Sequence, residues 1–220
     1  MTDWRDNLAD LDTSWAAMRA AHDAGRLRYR AFIACVFAIT SVHTPVSRAE
    51  WEFESYMSEG SLPDDGTMLG NTKCAAILSL IEWIADTTAD TFDVDGWTLA
   101  ETIMRHVNGL GPAKSAFASA LCGNPEPYCL DTHSVHLIAD RTGEDYHRII
   151  GSIQGHGTRR MASILRRYHR WGDTTYGSRD HQWEYFALAN AAFGEGGHAI
   201  YFAKARLLLT MGTSFTMSAS

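Results

Sequence analysis

Nowhere along this chain do apolar and polar residues alternate convincingly with period two, the pattern that a half-buried strand requires. Apolar residues recur at helical spacing instead, in runs closed by Gly, Pro or paired Asp. The expected fold class is therefore all-α. Helices are expected at about 12–24, 29–42, 46–57, 72–87, 97–107 and 112–121, then from Asp131, and at about 145–154, 158–168, 181–192 and 198–209. Pro45 stops the second of these, because proline lacks the amide a continuing helix needs. The Gly- and Pro-containing stretch 58–71 reads as a loop. Gly143 is free to take the left-handed conformation that ends the helix before it.

The chain has 220 residues, of which 45% are hydrophobic and 20% charged. That is enough to bury a full core, and residues 1–220 are expected to form one large domain or two intimately packed lobes. The longest apolar stretch, 31–39, is far too short to span a bilayer. The acidic start MTDWRDNLADLD has no apolar signal core. No membrane partner and a cytoplasmic location are expected. The cysteines are Cys35, Cys74, Cys122 and Cys129, with no CxxC and no iron–sulfur or zinc-finger spacing. They read as free thiols, with Cys35 and Cys74 buried inside apolar helical patterns. No cofactor is implied.

The formal net charge is −7, which argues mildly against a nucleic-acid partner. The distribution argues back: residues 1–140 hold 9 basic and 20 acidic side chains, residues 141–220 hold 10 and 6. The stretch RRMASILRRYHR carries Arg159, Arg160 and Arg166 without an acid. Such a segment is either a solvated helix face or a set of sequence-independent phosphate contacts.

The informative segment is VNGLGPAKSAFASALCGNPEPYCLDTH, from Val107 to His133. A helix, then Gly109-Leu110-Gly111, then a second helix opened by Pro112 forms a tight turn, and residues 99–121 make the hairpin. The second helix presents N-terminal amides, which favour an anion. Asp131 follows Gly111 by 20 positions, within Cys-Leu-Asp-Thr-His. Taken alone, Asp131 is as readily a helix N-cap, Lys114 a phosphate-contacting or solvated helix lysine, and His133 a hydrogen-bonded structural histidine. His133 and His136 stand about one turn apart, as metal ligands can, but no third ligand is evident and no metal is expected. The aromatics Trp183 and Phe186, in HQWEYFALANAAF, read first as packing.

The turn and the Asp-Thr-His motif together resemble the helix-hairpin-helix DNA glycosylase superfamily. The early segment RYRAFIACVFAITSVHTPVSRA fits the same superfamily, so the resemblance covers about 29–49 and 99–140. It implies a two-lobed fold with the active cleft between lobes, a hairpin (Gly109, Leu110, Gly111, Ala113) that grips DNA backbone, and Asp131 lining the cleft. Three departures matter. The position of the bifunctional enzymes' catalytic lysine holds Ala113, and Lys114 comes one residue later, about 100° round the helix. The glutamine after the early helix is absent near Val42, and so are the iron–sulfur cysteines.

The wording around the motif is more similar to a phage branch, the alpha-glutamyl/putrescinyl-thymine pyrophosphorylases, or amino acid:DNA transferases. Gly109, Leu110, Lys114, Ser115 and Phe117, then Cys129, Leu130, Asp131, Thr132 and His133, match its pattern. This resemblance implies a DNA-hypermodifying transferase, acting in the host cytoplasm. It would replace pyrophosphate on 5-hydroxymethyluracil pyrophosphate in DNA with an amine such as an amino acid. Asp131, Lys114 and His133 would be catalytic, with Arg159, Arg160 and Arg166 on DNA. The partners would be DNA and a small amine, with no obligate protein partner. The alternatives are a monofunctional glycosylase that excises a modified base and a non-catalytic DNA-binding module.

Overall fold

A computed structural model describes residues 27–153, apart from 45, 63–65, 123, 125, 128, 130–134, 137–138 and 141. Its organising element is α1 (Leu27–Thr40), whose sequence from Ala31 to Ile39 is apolar on every side. Ile33 through Ser41 are all buried, as expected of a helix that neighbours surround. Those neighbours are α2 (Val46–Glu59), α3 (Met68–Ala85) and α5 (Pro112–Leu121). A short 3-10 turn, Ala89–Thr91, leads to α4 (Gly96–His106), which packs chiefly on α5. After α5 the chain continues to α6 (Tyr146–Ile153). Every element among the described residues is helical.

Phe37 of α1 forms the centre of the core. Its ring meets Phe53 of α2 edge-on at 5.4 Å and Phe117 of α5 at 6.3 Å. Burying such a side chain stabilises the fold by about 1.5–3 kcal/mol, so this one residue ties three helices together. Trp83 of α3 packs on Phe92 at 5.4 Å, which anchors the loop before α4.

The helix ends follow local chemistry. Asp95 caps α4, its Oδ1 accepting from Trp97 N and Thr98 N at 3.1 Å and its Oδ2 from the Thr98 hydroxyl at 2.7 Å. The Thr98 hydroxyl, with these amides, holds the Asp95 carboxyl below its ordinary pKa. Pro112 occupies the first turn of α5, as expected. Gly143 has φ +69° and donates to Ala139 O at 2.9 Å, ending the preceding turn in the left-handed form anticipated. The stretch 58–71 is not wholly a loop. Thr67 accepts from Gly70 N at 3.0 Å and starts α3 at Met68. A capping threonine inside a Gly-rich segment was the signal passed over.

The thiols divide in a way the sequence pattern did not show. Cys35, Cys122 and Cys129 are buried, but Cys74 is exposed. α3 is apolar on two faces, and its inner face is Lys73, Ala76, Ile77, Leu80 and Trp83, so Cys74 falls on the outer one. Burial, with Cys122 as neighbour, raises the Cys35 thiol well above its ordinary pKa. Burial likewise pushes Cys122 up to about 12, against the pull of the Arg30 charge. Both are inert thiols at neutral pH.

Candidate nucleic-acid interface at the α4–α5 hairpin

α4 ends at His106, and Val107 caps it by donating to Ile103 O at 2.8 Å. The chain reverses over three residues. Asn108 N donates to Ser79 Oγ at 2.9 Å, pinning the turn to α3, and Leu110 N donates to Val107 O at 3.3 Å. Gly109 has φ +83°, a backbone conformation that costs an L-residue with a side chain roughly 1–2 kcal/mol. Gly111 is different: its φ is −78° and its ψ −179°, extended backbone open to any residue. Only the first glycine is conformationally required. Space is not the constraint at Gly109, since an added Cβ would meet Ala76 and Thr72 at ordinary contact, 3.8 Å.

Leu110 is 2% exposed and belongs to the core. Any contact it makes with a partner is therefore through its backbone. The outer surface of the turn consists of the exposed Asn108 and Gly109 and the partly exposed Gly111, Pro112 and Ala113. Ser115 N is bonded to Gly111 O at 2.9 Å, so the amides of Ala113 and Lys114 precede the intrahelical ladder of α5, at the positive end of its dipole.

Lys114 is not a solvated lysine. Its Nζ donates to Ser41 O at 3.0 Å and to Ser41 Oγ at 2.8 Å, and lies 5.4 Å from the Phe117 ring centroid. These contacts fasten α5 to the C-terminal end of α1, where helix carbonyls favour a cation. A second lysine serves the same end. Lys73, buried in α3, donates to Thr40 O at 2.9 Å, Thr44 Oγ1 at 2.6 Å and Glu52 Oε2 at 2.6 Å. Glu52 also accepts from Arg48 Nε at 2.8 Å. The turn after α1 is thus clamped from both sides, and His43 at its exposed tip has φ +49°. The sequence reading missed Ser41, Lys73 and Glu52. Nothing in local spacing connects positions so far apart.

The Cys-Leu-Asp-Thr-His motif begins at Cys129, and this residue is placed. It is buried, and its thiol donates to Ala113 O at 3.4 Å. The motif therefore starts against the first turn of α5, one residue from Lys114. Asp131 and His133 themselves lie outside the described residues, as do Arg159, Arg160, Arg166, Trp183 and Phe186. His136 is placed; its ring stacks on Tyr146 at 3.9 Å with 7° between planes. Among the described residues no group of three His, Cys, Asp or Glu side chains is arranged to hold a metal ion, and no helix is long and apolar enough to cross a membrane.

The site thus joins a glycine turn with outward backbone, the open end of a helix, a positioned ammonium, and the first residue of a carboxylate-bearing motif. No family model, curated protein or solved structure matches the chain.

Proposed function

We propose that the protein is a DNA-modifying transferase of the amino acid:DNA transferase type. It would exchange pyrophosphate on the 5-methylene group of 5-hydroxymethyluracil pyrophosphate, within DNA, for an amine. The observation that carries the reading is the attachment of Cys129 to Ala113 O. It brings Cys129, the first residue of the Cys-Leu-Asp-Thr-His motif, to the first turn of the helix that carries Lys114, and the two belong to the two halves of the family pattern this chain resembles.

In the reaction the amine nitrogen forms a C–N bond to the methylene carbon. The C–O bond breaks, and pyrophosphate leaves with the electron pair. The substrate nucleotide must leave the base stack to be reached. Lys114 and the first-turn amides of α5 supply positive charge for the departing anion. Asp131 takes the proton of the incoming ammonium, with His133 as the partner that shares it. The Gly109–Gly111 turn holds the DNA backbone through main-chain contacts. Ser41 fixes the position of the Lys114 Nζ through its carbonyl and hydroxyl oxygens. Lys114 stands one residue past the Schiff-base position, which holds Ala113, so a Schiff-base lyase reaction is not expected.

The test is mass spectrometry of nucleosides. The protein is incubated with DNA carrying pyrophosphorylated hydroxymethyluracil and a mixture of amino acids, and the DNA is then digested. A thymidine carrying the amino acid on its 5-methylene carbon through the amine nitrogen is the expected product. Release of a free base instead would make the protein a monofunctional glycosylase. DNA binding with neither product would leave a binding module.

A further inference from the structure

Glycine is a poor helix former, yet Gly96 is the first residue of α4, and its backbone lies outside the left-handed region that favours glycine. The neighbours, not the conformation, require glycine here. A Cβ added at Gly96 would lie 2.6 Å from Glu126 Oε2, 2.9 Å from Asn124 Cβ and 3.0 Å from Pro127 Cδ. A carboxylate oxygen can swing aside, but a Cβ and a ring carbon move only with their own backbone. The chain after α5 is therefore seated against the bare Cα of Gly96. Ser119, wholly buried in α5, ties the two together. Its hydroxyl donates to Gly96 O at 2.9 Å, and its carbonyl accepts from Asn124 N at 3.2 Å.

This seat lies at the open end of the α4–α5 hairpin, since Gly96 begins α4 and Ser119 is near the end of α5. Cys129 is held at the opposite end, its thiol donating to Ala113 O at 3.4 Å. Only two residues separate Pro127 from Cys129, a reach of at most about 7 Å. Asn124 and Glu126 each precede a proline, which biases a residue toward extended backbone. A connection so short and stiff passes a displacement on rather than absorbing it. Asp131 follows Cys129 by two residues.

We propose that Gly96 is a positioning residue. The space left by its missing side chain seats Pro127, and through Pro127 it sets where Cys129 meets the first turn of α5. It thereby fixes the point from which the chain continues to Asp131. The catalytic consequence rests on the reading given under Proposed function; the seat itself does not.

Cys129 is the reporter. In the full chain carrying Cys74→Ser, the exposed thiol is gone and three buried ones remain. Their reaction with a water-soluble aryl disulfide is followed, and each labelled cysteine is identified by peptide mass. Adding Gly96→Ala should make Cys129 react at least about tenfold faster, as local protection is lost, while Cys35 and far-UV helicity hold. On pyrophosphorylated DNA, kcat should fall about tenfold to 10²-fold with KM for DNA unchanged, the mark of misplacement rather than lost binding. A folded Gly96→Ala protein whose Cys129 stays as slow as in the parent overturns the proposal. So does a fast Cys129 with kcat unchanged, or a rise in KM alone. A parent that makes no product refutes the catalytic reading, and the thiol rate alone then upholds or overturns the seat. Pro127→Ala is the second variant, because it takes ring atoms out of the seat and adds none. It should also speed Cys129, and an unchanged rate there overturns the proposal even if Gly96→Ala fails to fold.

Discussion

Lys114 and Ser41, separated by 73 positions, are joined by two hydrogen bonds from one ammonium, to the Ser41 carbonyl at 3.0 Å and its hydroxyl at 2.8 Å. The Ser41 hydroxyl donates in turn to Ala38 O at 2.9 Å. The side chain of Ser41 is thereby oriented from both sides, and the cation sits at a fixed place beside the open end of α5. Positioning of this kind matters for a group meant to meet a developing anion, since it removes reorganisation at the moment of reaction.

Lys114→Ala is therefore expected to lower kcat/KM on pyrophosphorylated DNA by about 10²–10³. Ser41→Ala keeps the carbonyl and should cost less, in the same parameter. Initial rates on both variants check the order. Borohydride treatment of wild type with DNA should trap no adduct. An adduct that forms, and vanishes in Lys114→Ala, would replace the transferase with a lyase-type glycosylase.

The two glycines of the turn should separate in experiment. Gly109 is at φ +83°, so Gly109→Ala should destabilise the fold by roughly 1 kcal/mol, measured by denaturant unfolding. Gly111 is in extended backbone, so Gly111→Val has no left-handed strain to relieve or impose. It should instead weaken DNA binding, by placing a branched side chain where backbone would meet phosphate. Unchanged DNA affinity and salt dependence in a folded Gly111→Val protein would remove the turn from the interface.

The clamp on the other side of the turn after α1 is a buried ion pair. Glu52→Gln leaves Lys73, which is 3% exposed, without its carboxylate. Removing one partner of such a pair costs about 3–5 kcal/mol. Replacing Glu52 and Lys73 together by apolar residues should cost much less. Urea midpoints of the single and double variants decide between a stabilising pair and one that merely tolerates its burial.

Asp95 gives a pH dependence with a definite sign. The Thr98 hydroxyl and the first amides of α4 hold its carboxyl below the ordinary value. A carboxyl with a lowered pKa in the folded state adds stability above its unfolded value, near 4, and that contribution is lost as pH falls toward the folded value. Asp95→Ala should cost about 1 kcal/mol at neutral pH, with the gap to wild type closing below about pH 4. Melting temperatures measured from pH 7 to pH 3 test the convergence.

What the sequence made legible was local. α5 has the bounds read for it, Pro112–Leu121, because proline and glycine at its start act through the backbone within one turn. The Gly143 turn was equally readable. α3 was not, in two respects. Its start depends on one threonine cap, and its two apolar faces left Cys74 on the wrong one, since only packing against α1 decides which face is inward. The Lys114–Ser41 and Lys73–Glu52 pairs lie beyond any spacing rule, because they exist only once α1, α2, α3 and α5 have met. Of the proposed site, the sequence showed the chemistry-bearing residues but not the serine that holds one of them.

The decisive chemical test is Asp131→Asn, which keeps the side chain's shape and removes its charge. The motif to which Asp131 belongs starts at Cys129, bonded to Ala113 O at the first turn of α5. If Asp131 accepts the proton of the incoming ammonium, the amide variant has no base to offer, and the amine stays protonated and unreactive. Turnover should fall by about 10²–10⁴, the range of a general-base contribution. DNA binding should be nearly unchanged, because in the proposed function it rests on the hairpin backbone and on cations. The loss should also be eased at high pH, where more of the amine is already deprotonated in solution. That recovery separates a base from a purely electrostatic role, since a carboxylate that only stabilises a developing cation is not replaced by raising the pH. The measurement is the pH profile of initial rate for wild type and Asp131→Asn with the same amine. Parallel profiles, offset by a constant factor, would assign Asp131 to charge stabilisation, and equal rates would remove it from the reaction.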